Sequence, residues 1–222
     1  MAYDKIEEMP NRRPVGARKH PLFTKAAISL QRMGILPNQV SILSIVFAAL
    51  AGCAMAASPR VATVPAVACL LAAIAGVALR GTCNVLDGLI AVEGGLKSPS
   101  GDVYNDFPDR ISDMFLYVGA GYGITTVAWG AELGWAAALL AVMTAYVRVL
   151  GGSVGASTYF IGPMAKTHRM ATLVVACLAA AVERVMSGTN WSLVAGLGII
   201  CLGSVITVAR RASRIVRELE SR

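Results

Sequence analysis

Asp87, Glu93, Asp102, Asp106, Asp109 and Asp113 place six of the chain's thirteen acids in one stretch, Asn84 to Asp113, that is also rich in glycine. Asn84 and Asp87 are three residues apart and would share a helix face, while Asn105, Asp109 and Asp113 recur every four residues and would share another. Two helix ends facing each other would bring these oxygen donors to one point. Clustered carboxylates repel one another and are costly to desolvate, so a cation is the natural partner. With neither His nor Cys in the set, an all-oxygen site favours Mg²⁺, Mn²⁺ or Ca²⁺ over Zn²⁺. Gly88, Gly94, Gly95 and Gly101 would let a phosphate or nucleotide approach the backbone closely. The chemistry this pattern points to is phosphoryl transfer with a divalent ion.

The elements that must position this stretch are membrane helices. Of 222 residues, 56% are hydrophobic and 15% charged, and the mean hydropathy is +0.63; an ordinary soluble domain is about 45–50% apolar and about 25% charged. A helix needs roughly 20 apolar residues to cross the hydrocarbon core, and six charge-poor runs approach that length: 40–57, 61–85, 114–130, 133–155, 170–182 and 191–209. The expected fold is all-α, a polytopic membrane protein with six transmembrane helices. An amphipathic interfacial helix is expected before them, from His20 to Met33, where Leu22, Phe23, Ala26, Ala27, Leu30 and Met33 recur at helical spacing. Asn38 is the expected N-cap of the first span.

The chain reads as a single membrane domain, 1–222: a cytoplasmic N-terminal and interfacial segment (1–35), a six-helix bundle (36–209) and a basic cytoplasmic tail (210–222). With both termini cytoplasmic, sixteen of the twenty Lys and Arg fall inside, Lys97 among them, and only Arg60 and Arg184 outside, as the positive-inside rule requires. Trp129, Trp135 and Trp191 then fall at outer loops, where indole rings favour the interface. The expected location is the cytoplasmic (inner) membrane, and the first twenty residues carry no apolar core of a signal peptide. Arg80 and Arg148 lie within spans and are functional candidates on that ground, while Arg210, Arg211, Arg214 and Arg217 are expected to meet anionic head groups.

The net charge of +7 does not indicate nucleic acid, because the basic residues gather at the two ends and the acids in the middle. The apolar content excludes disorder. The five cysteines are odd in number and lack metal-ligand spacing, which excludes a disulfide scaffold.

From Asn84 to Asp109 the chain resembles the CDP-alcohol phosphotransferase (CDP-alcohol phosphatidyltransferase) family. Its signature is Asp-x-x-Asp-Gly-x-x-Ala-Arg, eight residues, Gly, three residues, Asp, three residues, Asp. Asp87, Gly88, Ala91, Gly101 and Asp109 match it with the spacing intact; Asn84, Val92 and Asn105 stand where the family has Asp, Arg and Asp. Leu36-Pro37-Asn38, Arg148 in the fourth span, and Lys166 and Arg169 in a basic loop also look like the family. The resemblance implies a six-helix enzyme, commonly a homodimer, with one or two divalent ions, Mg²⁺ or Mn²⁺, between the second and third spans. It implies metal ligation by Asn84, Asp87, Asn105 and Asp109, with Asp113 the preferred substitute for a lost carboxylate. Gly88, Ala91 and Gly101 would hold the cytidine diphosphate of CDP-diacylglycerol or another CDP-alcohol, and Arg148 and Lys166 the phosphate or acceptor. Asp109, supported by Asp87, would deprotonate the acceptor hydroxyl as it attacks the β-phosphorus and releases CMP.

The two asparagines remove two negative charges from the ligand set. Three outcomes stay open: Asp106, Asp113 or Glu93 substitutes, one ion suffices, or catalysis is lost. Asp113 paired with Arg110 or Arg80 is the structural alternative to Asp113 as ligand. At the level of function, the transferase reading stands beside a non-catalytic relative that binds a CDP-alcohol or lipid. A small transporter ranks last, because its polar residues would be spread through several spans at the midplane.

Overall fold

The structure is a computed structural model that describes residues 21–96 and 98–222. The expected cytoplasmic segment 1–20 and Lys97 lie outside the described residues, and so does the side chain of Glu93. Seven α-helices follow in chain order: α1 (Pro21–Arg32), α2 (Pro37–Ala57), α3 (Thr63–Glu93), α4 (Gly101–Tyr122), α5 (Gly130–Ser153), α6 (Lys166–Met186) and α7 (Trp191–Glu220). A single 3-10 turn, Ser58–Arg60, links α2 to α3, and no strand occurs among the described residues.

Four helices are long and apolar enough to cross a membrane: α2 with its 3-10 extension, α3, α5 and α7. The other two, α4 and α6, are of similar length but carry charges within them. The packing nevertheless treats all six alike. Helix α2 lies against α3 and α4, α4 against α5, α5 against α7, α7 against α6, and α6 against α3, so the six close into a ring, with α1 laid against α3. The interior of the ring is small and apolar, with Ala48, Ala51, Ala73, Ala120, Ala137, Ala141 and Ala176 buried beside Leu116, Leu173, Leu197 and Ile200. Such residues let helix axes approach closely where lipid-like side chains give no hydrophobic drive for association.

The closest approaches are backbone on backbone. A Cβ built on Gly119 of α4 would lie 2.4 Å from Cα of Gly52 on α2, and one on Gly121 would lie 2.7 Å from Cα of Gly134 on α5. Helix α4 is therefore wedged between α2 and α5 by four glycines. Gly151 of α5 is close instead to a side chain, that of Ile215 on α7.

Several element ends differ from expectation for identifiable reasons. Helix α2 begins at Pro37, so its N-cap is Leu36 rather than the expected Asn38; the Leu36 N–H donates to Oε1 of Gln39 at 2.9 Å. Helix α4 stops at Tyr122 instead of reaching Gly130, because Asn190 captures the chain beyond it: its Oδ1 accepts from the amides of Thr125 (3.3 Å) and Thr126 (3.2 Å), and its Nδ2 donates to the carbonyl of Gly123. The apolar stripe of α1 is directed at protein, since Phe23, Ala26, Ala27 and Leu30 pack against Cys83, Leu86 and Ile90 of α3 or their neighbours, and Gln31 Nε2 donates to the carbonyl of Gly94 at 3.1 Å. The expected basic tail continues α7 as helix, and Arg211 within it is buried.

At the opposite end of the ring, Glu183 of α6 caps α7. Its carboxylate accepts from the backbone N–H groups of Trp191 (2.7 Å) and Ser192 (2.8 Å) and from the hydroxyls of Ser192 and Thr189. A capping carboxylate normally comes from the helix's own N-cap residue; here it arrives from the preceding helix. Partial burial pushes the Glu183 carboxyl up, but the hydrogen bonds from Ser192, Thr189 and Trp191 outweigh it and hold the group below its ordinary value.

Two measurements check this account of the packing. Gly119→Ala should lower stability by about 1–3 kcal/mol, because the new methyl meets backbone that cannot move aside, whereas Gly198→Ala, with open space around its Cβ, should leave the thermal midpoint in detergent unchanged or raised. Glu183→Ala should cost about 1 kcal/mol. As the native pKa lies below the unfolded one, that contribution is present above the ordinary glutamate range and lost as the pH falls through it, so unfolding curves of wild type and Glu183→Ala should converge in acid.

Candidate functional site

A cavity of about 780 Å³ opens at the α1 end of the ring, where α3 and α4 present the Asn84–Asp113 stretch. Helix α3 has 31 residues, about 46 Å at 1.5 Å per residue, longer than a bilayer core. Its last turns carry Asn84, Asp87, Gly88 and Ala91 to the cavity wall. Helix α4 runs back from Gly101 and lines the facing wall with Asn105, Asp106 and Asp109. The juxtaposition of two helix ends expected from the sequence is therefore present, and Asn84, Asp87, Gly88, Ala91, Gly101, Asn105, Asp109, Arg148 and Lys166 all line one cavity.

What the sequence obscures is the charge that meets them. Arg80, Arg110, Arg148, Lys166, Arg169 and Arg211 also line the cavity, against Asp87, Asp102, Asp106 and Asp109. A stretch that is acidic along the chain becomes cationic in space, because the basic residues come from α3, α4, α5, α6 and α7.

Asp109 is buried and fully engaged. Its Oδ2 accepts from Lys166 Nζ at 2.5 Å; its Oδ1 accepts from Asn84 Nδ2 at 3.0 Å and from Arg80 at 3.3 Å. Asn84 completes a triangle, since its Oδ1 accepts from Lys166 Nζ at 3.1 Å.

One turn further, Asp113 is buried between two guanidinium groups. Arg80 donates to its Oδ1 at 2.7 Å and Arg169 to its Oδ2 at 3.1 Å. Arg169 is fixed in turn by Thr144 Oγ1 (2.9 Å) and the carbonyl of Met164 (3.0 Å). Asp113 thus does not serve as the substitute ligand expected from its four-residue spacing: both of its oxygens face cations, and it is a structural counter-ion of Arg80. Arg169 and Arg211, the latter expected to meet lipid head groups, are both buried; Arg211 donates to the carbonyls of Ile161 and Thr144.

Asp87 accepts from Ser41 Oγ of α2 at 2.7 Å and from the Gly88 amide at 2.6 Å. Arg148 reaches Asp106 at 2.6 Å and stacks over Phe160, 5.4 Å from the ring centre. Asn105 is exposed. Ser41 and Thr144 line the cavity and carry no signal in the sequence, whereas Asp106, one of the substitutes considered for a lost carboxylate, lies on its wall as the partner of Arg148.

The pair of divalent ions that the resemblance implies can be tested against these donors. Of the four signature positions, two are neutral amides, one carboxylate already neutralises a lysine and an arginine, and the fourth, Asp87, is satisfied by Ser41 and Gly88. Among the described residues no three of His, Cys, Asp and Glu come together as a metal would need. The donor set does not fit two dications.

No family model matches the sequence, and no curated protein does. Solved structures of a Mycobacterium tuberculosis enzyme, phosphatidylinositol phosphate synthase (PgsA1), do match. With CDP-DAG bound, the TM-score is 0.70 at 22% identity over 88% of this chain and 94% of that one. In complex with manganese and citrate, it is 0.69 at 23% identity over 87% and 88%; in apo form, 0.63 at 24% identity over 84% and 92%. The chain shares the fold of that synthase along nearly its whole length.

The two ionic layers should differ sharply in weight. Asp113→Asn leaves the buried Arg169 without a carboxylate and Arg80 with only Asp109 at 3.3 Å, and should cost about 3–5 kcal/mol. Asp106→Asn, whose side chain is 40% exposed, should cost about 1 kcal/mol or less; urea or thermal unfolding in detergent reads both.

Proposed function

We propose that the chain is a CDP-alcohol phosphotransferase of phospholipid synthesis, which moves a phosphatidyl or related group from a CDP-alcohol such as CDP-diacylglycerol to an acceptor hydroxyl and releases CMP. The observation that carries this reading is the convergence of Asn84, Asp87, Gly88, Gly101 and Asp109, in the family's spacing, on one cavity ringed by cations. The fold shared with a synthase solved with CDP-DAG bound supports it. All six helices of the ring are read as spanning the cytoplasmic membrane, with both termini and the cavity facing the cytoplasm. For α4 and α6 this is supported by exposed Phe115 and Tyr122 and by exposed Val175, Leu178 and Val182, which would face lipid, while Asp109, Asp113, Lys166 and Arg169 turn inward. One membrane domain, working as a homodimer, completes the reading.

Within the cavity, the residues of this chain would divide the work. Gly88, Ala91 and Gly101 give the cytidine diphosphate access to the backbone, and Arg148 and Lys166 bind phosphate oxygens and neutralise their charge. The acceptor oxygen attacks the β-phosphorus, the bond to the CMP oxygen breaks, and the hydroxyl proton passes to Asp109. Asp109 is engaged by Lys166 and Arg80, so it is freed for that role when substrate phosphate draws Lys166 away from it. Asp87, anchored by Ser41, holds the facing wall.

The Lys166–Asp109 pair also favours a second reading, a relative that binds a CDP-alcohol without turning it over. CMP release by purified protein, from CDP-diacylglycerol with a panel of acceptor alcohols and Mg²⁺ or Mn²⁺, separates the two. The transferase reading expects CMP and a new lipid, reduced about 100-fold or more by Asp109→Asn and strongly by Asp87→Asn. Labelled CDP-diacylglycerol retained without CMP establishes the binding protein, and neither signal removes both.

A further inference from the structure

The mismatch between the donor set and a pair of divalent ions has a partner observation: side-chain cations already stand where charge neutralisation is needed. Lys166 Nζ bridges Asn84 Oδ1 and Asp109 Oδ2, the first and last positions of the signature, at 3.1 and 2.5 Å. A dication at that point would have to displace the ammonium from both oxygens and then sit beside Arg80, which holds Asp109 from the other side. Asn105 brings no charge to compensate, and Asp113 is neutralised by Arg80 and Arg169. Arg110 and Arg148, both partly accessible from the cavity, share the single carboxylate of Asp106. Each loss of negative charge on the protein is thus matched by a positive group within reach of an anionic ligand, and the cavity is built for a polyanion rather than for cations.

We infer that this site binds the diphosphate of a nucleoside diphosphate without divalent ions, Lys166 standing in for the metal charge between Asn84 and Asp109 and Arg148 and Arg110 completing the cradle. Asn84 is then a specific choice. An amide both accepts from the lysine and donates to Asp109, whereas an aspartate there would set another negative charge directly against Asp109 and reopen a metal position. The inference rests on the reading that the cavity takes a CDP-alcohol.

The test is equilibrium binding of CDP to the purified full chain in detergent, by calorimetry, once with EDTA and once with Mg²⁺ or Mn²⁺. The expected result is one dissociation constant, within about threefold, in all three conditions, and a loss of about tenfold or more on Lys166→Met. Binding at least about tenfold tighter with metal than with EDTA overturns the inference and leaves the proposed function standing. Absence of CDP binding in every condition overturns both. Electron paramagnetic resonance of Mn²⁺ titrated into the ligand-free protein gives an independent readout. No saturable site is expected in wild type, and one should emerge in the N84D/N105D double variant. A saturable wild-type Mn²⁺ site overturns the inference, and because the wild-type comparisons need no substitution, a variant that fails to fold does not shelter it.

Discussion

Two arginines and one aspartate, buried where three helices meet, set the terms for the rest of this molecule. Arg80 of α3, Asp113 of α4 and Arg169 of α6 form an ion chain inside the ring, and charges there are tolerable only if every one is answered. That requirement fixes the axial register of α3, α4 and α6 against one another. It also explains how two helices with charges along them can belong to an apolar bundle: Asp109 and Asp113 of α4 and Lys166 and Arg169 of α6 are spent on each other and on Arg80 of α3. The glycine contacts of α4 with α2 and α5 then hold the same helix from its other sides, so the wall that carries Asp109 is fixed in position.

The functional layer sits on that base as a second, looser one. Asp109 links the two, because Arg80 touches both it and Asp113. Beyond it the pairs open toward the cavity, and Arg148, Arg110 and Asp106 are partly exposed. The gradient runs from a closed ion chain to accessible cations, rigid support beneath and exchangeable partners above, and it suits the polyanion proposed to bind there.

Much of this was legible along the chain. Hydropathy gave six runs, and the structure has six ring helices around them; the amphipathic run at Pro21 became α1; and the Asn84–Asp109 spacing placed the cavity's two walls. The rest was not legible, for physical reasons. Asn190 ends α4 by hydrogen bonds across more than sixty positions, and Glu183 caps a helix other than its own; neither leaves a local pattern. The reversal of charge sign was hidden because carboxylates on two neighbouring helices are contiguous in sequence, whereas the cations that surround them are dispersed over five helices. Asp113 shows the limit of periodicity: its spacing put it on the correct face, but only the presence of Arg80 and Arg169 decided whether that face offered a ligand or a counter-ion.

The glycine seam between α2, α4 and α5 has a further consequence, for permeation. At Gly52, Gly119, Gly121 and Gly134 the helix backbones touch, and beneath the cavity Leu116, Leu173 and the alanine layers fill the centre of the ring. The hollow near Ser58 and Asn190, at the far end, has a volume of about 10 Å³, close to that of one water-sized probe. The cavity is a vestibule with a solid floor. Below the cavity the described residues pack helix against helix, and the polar groups that line it gather at one end of the ring.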